Sequence, residues 1–325
     1  MKPFHRASSL LATLLGVQRS SAQPSSSSSN NTFNPLNSIQ QLLSPSYTNN
    51  MSRVAPVISV SHGGGPMPLL GDPSHAAIVD SLKTRVPKIL KLGTPEAPKA
   101  IVLVTAHWST DKVTISSGSK HELLYDYYGF PPEAYQIKHN APGSPKVADQ
   151  VAKALSEAGI EYEKDPERPW DHGVFVPMKL IDPSASTPIV QLSVLASESP
   201  KDSYAIGRAL STLRSQNIAI IGSGFATFHN LRYFGQLGNP SIKAMTKEWS
   251  EKVTDAAMTD DDAKREEKFQ HFREWPHTYT MHPRHGAEHF LPLIVCAGAA
   301  GRTTGKSYAD ALMGVDMWSY YWDEE

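Results

Sequence analysis

The chain has 325 residues, 40% of them apolar, and its charges nearly cancel at −1. It is long enough to bury a sizeable core, and it offers neither a basic excess for nucleic acid nor an acidic solvating run. The single cysteine, Cys296, excludes an internal disulfide and a thiolate-only metal cage, which leaves any metal chemistry to His, Asp or Glu. The first acidic residue is Asp72. A short apolar stretch at 7–17, flanked by Lys2, Arg6 and Arg19, precedes the serine run Ser25–Ser29. Low complexity predicts that residues 1–50 are a disordered extension, with disorder centred on about 20–50. An organellar presequence is the second reading and a secretory signal the third, because a lone cysteine gives no sign of an oxidising compartment. The expected location is cytoplasmic, with mitochondrial delivery through this segment as the alternative. No apolar stretch is long enough to span a membrane.

From residue 54 onward the pattern changes. Residues 54–60 are apolar and β-branched, a buried strand, and end in a glycine-rich loop at 61–66. A helix is expected over 73–92 and a second buried strand over 100–106, with an alternating segment at 112–117 pairing beside it. Residues 121–142 are aromatic and proline-rich, a loop. Ser144-Pro145 marks a helix start, and Gly159 stops that helix. Buried strands follow at 189–195 and 218–222, with a helix between them marked by Ile206, Leu210 and Leu213. Ile242, Met245, Trp249 and Val253 mark another helix. Residues 260–272 read as a solvated charged helix and 288–299 as an apolar one. The alternation predicts one α/β domain over 51–325, a mostly parallel central sheet flanked by helices. Such sheets bind ligands beyond the carboxyl ends of their strands.

Three histidines fall at or just beyond those ends. His62 follows the first strand, His107 the second, and His229 follows the strand at 218–222 by a short loop. A divalent cation binds imidazole well, and a catalytic site takes about three protein ligands with an open position. His289, at the start of the last apolar helix, and His172, in the turn-rich loop Trp170-Asp171-His172-Gly173, are further candidates. Any one of these is more often a hydrogen-bonding residue than a ligand; their repetition at equivalent strand ends is what raises the metal reading. The glycines after His62 would let backbone approach a ligand, or form an ordinary tight turn. His282 and His285 stay open, and the other histidines lie in tail, helical or loop segments. HGGG at 62–65 resembles a lipase oxyanion loop, but Ser223 lacks the outer glycines of a nucleophile elbow, so a serine hydrolase is set aside.

SHGGGP (61–66), TAHW (105–108), YDYYGFPPEAY (125–135), WDHG (170–173), the segment 223–230 and HP…EHFLPL (282–293) together resemble the DOPA-dioxygenase branch of the class III extradiol ring-cleavage dioxygenases, related to the catalytic subunit of protocatechuate 4,5-dioxygenase. The resemblance runs from about residue 54 to the end of the chain. It implies one Fe(II) or Zn(II) per chain, held by His62, His107 and His289. His229 is implied as a ligand or acid–base group beside the metal, and His172 as a substrate-contacting acid–base residue. The implied substrates are a small aromatic diol, DOPA-like by default, and O₂. The third ligand position reads as histidine where the wider superfamily has a carboxylate. Tyr125, Tyr127, Tyr128 and Phe130 either wall an aromatic pocket or simply pack their loop. Two other readings remain at this point. One is a zinc hydrolase; the other is a non-enzymatic module like the Memo proteins, against which WDHG and EHFLPL weigh.

Overall fold

A computed structural model describes residues 54–324, so the expectations for the N-terminal segment lie outside the described residues. Among the described residues eight strands form one sheet: β1 (Val57–Ser61), β2 (Ala100–Thr110), β3 (Val113–Ser116), β4 (Tyr162–Asp165), β5 (Ile189–Leu195), β6 (Ile218–Gly224), β7 (Lys306–Leu312) and β8 (Val315–Trp322). Their order is β4-β3-β5-β2-β6-β1-β8-β7. The four central strands are parallel, as their unbroken apolar runs require, since both faces are covered. β8 pairs antiparallel with β1 and with β7. The segment expected beside β2 is β3; it pairs instead with β5 and β4, because β5 and β6 already occupy both edges of β2.

The β7–β8 hairpin and β4 are absent from the sequence reading. Met313 and Gly314 both take positive φ, 51° and 83°, the geometry of a tight two-residue hairpin turn. A glycine between two alternating runs was the available signal.

Helices cover both faces. α1 (Ala76–Asp80) continues through a π-type turn at Ser81–Arg85 into α2 (Val86–Ile89). Then come α3 (Pro145–Glu157), α4 (His172–Ile181), α5 (Pro200–Arg214), α6 (Pro240–Ala257), α7 (Asp262–Gln270), α8 (Thr278–Met281) and α9 (Leu291–Ala299). Side chains alternate along a strand, and β6 shows which helix lies on which face. A Cβ at Gly222 would strike Pro292 and Cys296 of α9, and one at Gly224 would strike the His289 carbonyl. Ser223, between them, donates to the Gly173 carbonyl of α4. α4 and α9 therefore sandwich β6, and His172 at the start of α4 and His289 in the turn before α9 come to the same sheet edge.

α4 corrects the reading of Trp170–Gly173 as a loop. Asp171 is the N-cap residue and His172 opens the helix. The early glycine, internal Pro177 and near-complete burial leave no amphipathic period to read. The helix at 262–270 is also less solvated than expected: Arg265 and Phe269 are fully buried. Arg265 donates from Nε to the Thr259 carbonyl (2.8 Å), from Nη1 to those of Ala297 (3.1 Å) and Gly301 (2.8 Å), and from Nη2 to Thr303 (2.8 Å). Arg214 binds the carbonyls of Ala299 and Ala300. Two buried guanidiniums thus satisfy the carbonyl end of α9, where no intrahelical partner exists. Arg265→Met is expected to lower unfolding free energy by about 3 kcal/mol or more, read by urea denaturation, because buried acceptors lose their donors.

His139 sets a second stability prediction. It is buried, neither ring nitrogen has a hydrogen-bond partner among the described residues, and burial pushes its pKa down to about 4 from 6.5, against the opposing pull of Asp182. The unfolded chain takes up the proton first as pH falls. Its contribution is therefore complete above about 6.5 and is lost progressively towards 4, by roughly 3 kcal/mol. His139→Leu should shrink the difference in urea stability between pH 7 and pH 4.5; an unchanged difference would show that His139 is not held neutral by the fold.

Candidate metal centre

His62 is the first residue beyond β1. Gly63, at φ 83°, turns the chain there, and the loop packs on Pro68 and His75, with the Gly64 N–H donating to His75 Nε2 at 3.0 Å. The glycines thus form a tight turn seated on protein.

His107 lies inside β2, which runs to Thr110. Pairing with β5 slips between Val104 and Ser109, and this irregularity, a device that re-aims side chains, turns His107 into the site. His229 sits in the loop beyond the end of β6 at Gly224, its N–H bonded to the Met281 carbonyl at 2.9 Å. His289 precedes α9 in a turn; it does not open the helix. His172 is fixed by its neighbour: the buried Asp171 carboxylate accepts from Thr105 Oγ1 on β2 (2.7 Å) and Gln191 Nε2 on β5 (2.8 Å). Burial pushes the Asp171 carboxyl pKa up.

All five histidines meet. His107 Nε2 is 3.3 Å from His62 Nε2 and 3.2 Å from His289 Nε2. The His172 ring lies 3.8 Å from that of His107, and the His229 ring stacks on His289 at 3.3 Å. Donor atoms of His62, His107 and His172 lie within 4.8 Å of one another, as do those of His229, Glu288 and His289. The two groups abut at the His107–His289 contact.

Hydrogen bonds decide the tautomers. The Ser223 hydroxyl proton goes to the Gly173 carbonyl, so its oxygen accepts from His62 Nδ1 at 3.0 Å. His289 Nδ1 donates to Glu288 Oε1 at 2.8 Å, and that oxygen also stands 3.5 Å from His229 Nδ1. His172 Nδ1 donates to Asp126 Oδ1 at 2.8 Å, while Asp126 Oδ2 faces His107 Nδ1 at 3.6 Å. Protons held on the outer nitrogens of His62, His172 and His289 leave lone pairs on their inner ones, and His107 Nε2 lies between two of these. Burial first, and then neighbouring histidines, hold His62, His107 and His289 well below the usual imidazole pKa, so they stay neutral.

This arrangement fits a divalent ion on two independent grounds. The inner nitrogens of His62 and His289 stand 3.3 and 3.2 Å from His107 Nε2. Two nitrogens about 2.0–2.1 Å from one tetrahedral ion stand roughly 3.3–3.4 Å apart. The charge points the same way: Asp126 and Glu288 bring two negative charges, and among the described residues their ion-pair partners are histidines.

The aromatic loop packs on its own cluster and reaches the histidines. Tyr127, Phe130 and Phe175 form a small cluster of their own, and the Tyr127 ring meets His172 edge-on at 5.8 Å. Tyr128 is 90% exposed and walls no pocket. Of the histidines left open, His282 is fully buried, its Nε2 3.3 Å from the Ala226 carbonyl. Three residues that bond the outer ring nitrogens escaped the sequence reading in that place: Asp126, Ser223 and Glu288. A carboxylate or hydroxyl behind a ring has no spacing rule, and only their places inside the YDYYG, 223–230 and EH motifs marked them.

Residues 57–317 match the family described as the catalytic LigB subunit of aromatic ring-opening dioxygenase. The chain belongs to the LigB family. It is 50% identical over 281 residues to the dioxygenase tasH of Hapsidospora irregularis, covering 83% of this chain and 86% of that one. It is 34% identical over 211 residues to a 4,5-DOPA dioxygenase extradiol of Beta vulgaris, covering 64% and 75%. Among solved structures, an uncharacterized Escherichia coli K12 protein superposes with a TM-score of 0.63 at 26% identity, over 82% of this chain and 99% of that one. As a LigB protein the chain is an extradiol-type, aromatic ring-opening dioxygenase with a histidine-rich, metal-dependent centre at the strand ends. The hydrolase and Memo-like readings are superseded.

Proposed function

We propose that this dioxygenase opens a catechol, DOPA-like by the names of its relatives, at one Fe(II) held by His62, His107 and His289. The observation that carries the reading is the convergence of three Nε2 atoms, with those of His62 and His289 at 3.3 and 3.2 Å from that of His107. Zn(II) would suit the same donors, but it has no redox chemistry, so oxygen chemistry favours iron. Iron there would chelate the diol, lower its hydroxyl pKa and link the ring electronically to O₂.

The chain's own residues supply the rest. His172, with its Nδ1 proton held by Asp126, has Nε2 free to accept a hydroxyl proton. His229, beside His289 and Glu288, is the second acid–base group and returns a proton as the ring opens. Tyr127 on one side and Phe225 on the other, 5.1 Å edge-on to His62, give an aromatic ring apolar faces to pack against. Asp126 and Glu288 balance the ion's charge.

The test is anaerobic reconstitution with Fe(II) or Zn(II), followed by oxygen uptake with DOPA and simpler catechols. Iron-dependent uptake matched by a yellow ring-opened semialdehyde is the expected result. Bound iron without uptake on any catechol would overturn the substrate assignment.

A further inference from the structure

We infer that Asp126 is a positioning residue for ring opening, through which the aromatic loop controls both His172 and His107; the inference rests on the catechol dioxygenase reading above. Asp126 lies in the loop between β3 and α3, not on the sheet edge that carries the histidines. Its Oδ1 accepts twice from His172, from Nδ1 at 2.8 Å and from the backbone N–H at 3.0 Å. Those two bonds fix the ring's tilt and proton while pinning the first turn of α4. Its Oδ2 faces His107 Nδ1 at 3.6 Å, beyond a direct hydrogen bond but within electrostatic reach.

One carboxylate thus backs two rings whose centres are 3.8 Å apart. Groups behind a ligating imidazole orient it and raise its basicity.

The loop holds Asp126 in place by contacts on both sides of it. The Leu124 N–H donates to the Trp170 carbonyl at 2.7 Å and the Trp170 N–H to the Glu122 carbonyl at 2.9 Å, so the loop is laced to the residues that lead into His172. On the other side, the Tyr127 hydroxyl donates to the Ala134 carbonyl at 2.7 Å, and Tyr127 packs on Phe130 and Phe175. Among the described residues, the ion-pair partners of Asp126 are His107 and His172. The hydrogen bonds from His172 hold its carboxyl below the usual range although burial opposes this. The carboxylate is committed to the histidines.

Asp126→Asn keeps the shape, removes the charge and offers a donor where an acceptor is needed, so it should break both functions without emptying the loop. Two readouts test this. In steady-state ring opening by the iron-loaded enzyme, D126N is expected to lower kcat about 10²-fold with KM changed little. In an H172Q background the same substitution should lower kcat no further, because its catalytic effect passes through His172. In Co(II) titration of the metal-free protein, followed by visible absorption, D126N should weaken binding about 10-fold or more.

The titration needs no turnover, so it reads Asp126 even if no catechol proves to be a substrate. D126S supplies the same two readings if D126N fails to fold. Unchanged kcat with unchanged Co(II) affinity overturns the inference. A loss confined to one readout, or a full further loss in the H172Q background, overturns the two-ring role.

Discussion

His107→Ala is expected to abolish iron binding and ring opening together. His107 Nε2 is the shared neighbour of the other two inner nitrogens, at 3.3 Å from His62 and 3.2 Å from His289. Removing it leaves two donors for an ion that needs about three. Residues that merely back a ligand cost about 10–100-fold in metal affinity, so loss of the central donor should exceed ~100-fold. The folded state should survive: the ring is neutral, half-buried and at the sheet edge. The measurement is iron stoichiometry after gel filtration, alongside catechol-dependent oxygen uptake. His271→Ala serves as the control, since that ring is exposed and pairs with Glu274 far from the centre. Full iron occupancy in His107→Ala would remove it from the ligand set.

His172→Gln should behave differently. Its Nδ1 is engaged by Asp126, and its ring lies beside the three converging nitrogens. A residue that moves a proton in the transition state typically contributes ~10²–10⁴-fold. The expectation is a kcat lowered by ~10²-fold or more with iron affinity within a few-fold of the parent. This separates the two donor sets that the geometry offers. If His172→Gln loses iron as His107→Ala does, the set is His62, His107 and His172, whose donor atoms also lie within 4.8 Å of one another. Retained iron with lost turnover assigns it to proton transfer.

Both experiments probe a site whose parts differed in how plainly the sequence announced them. His62, His107 and His229 could be found because buried parallel strands are written as continuous β-branched runs, and a polar residue at the end of such a run is conspicuous. His289 and His172 were marked by motif. Their surroundings were not legible. α4 is buried on nearly all sides, so its sequence carries no period of 3.6, and its glycine and proline imitate a loop. The same blindness hid Arg265, a charge inside a charged segment that turns inward to hold the end of α9.

Local patterns sufficed for the α/β class, the parallel centre of the sheet, the helix start at Ser144, the helix marked by Ile242, Met245, Trp249 and Val253, and the histidines available for a metal. Those features are carried by periodicity and capping within a few residues of one another. Long-range packing chose which histidines share a centre and which nitrogen of each faces inward. His107 meets His289 across 182 positions because β1, β6 and β2 lie side by side and α9 packs over β6. Ser223, Glu288 and Asp126 then select the tautomers of His62, His289 and His172. Strand order, the turn of the β2 irregularity and a carboxylate delivered from a distant loop all arise between segments far apart in the chain, and no local pattern of residue types encodes them.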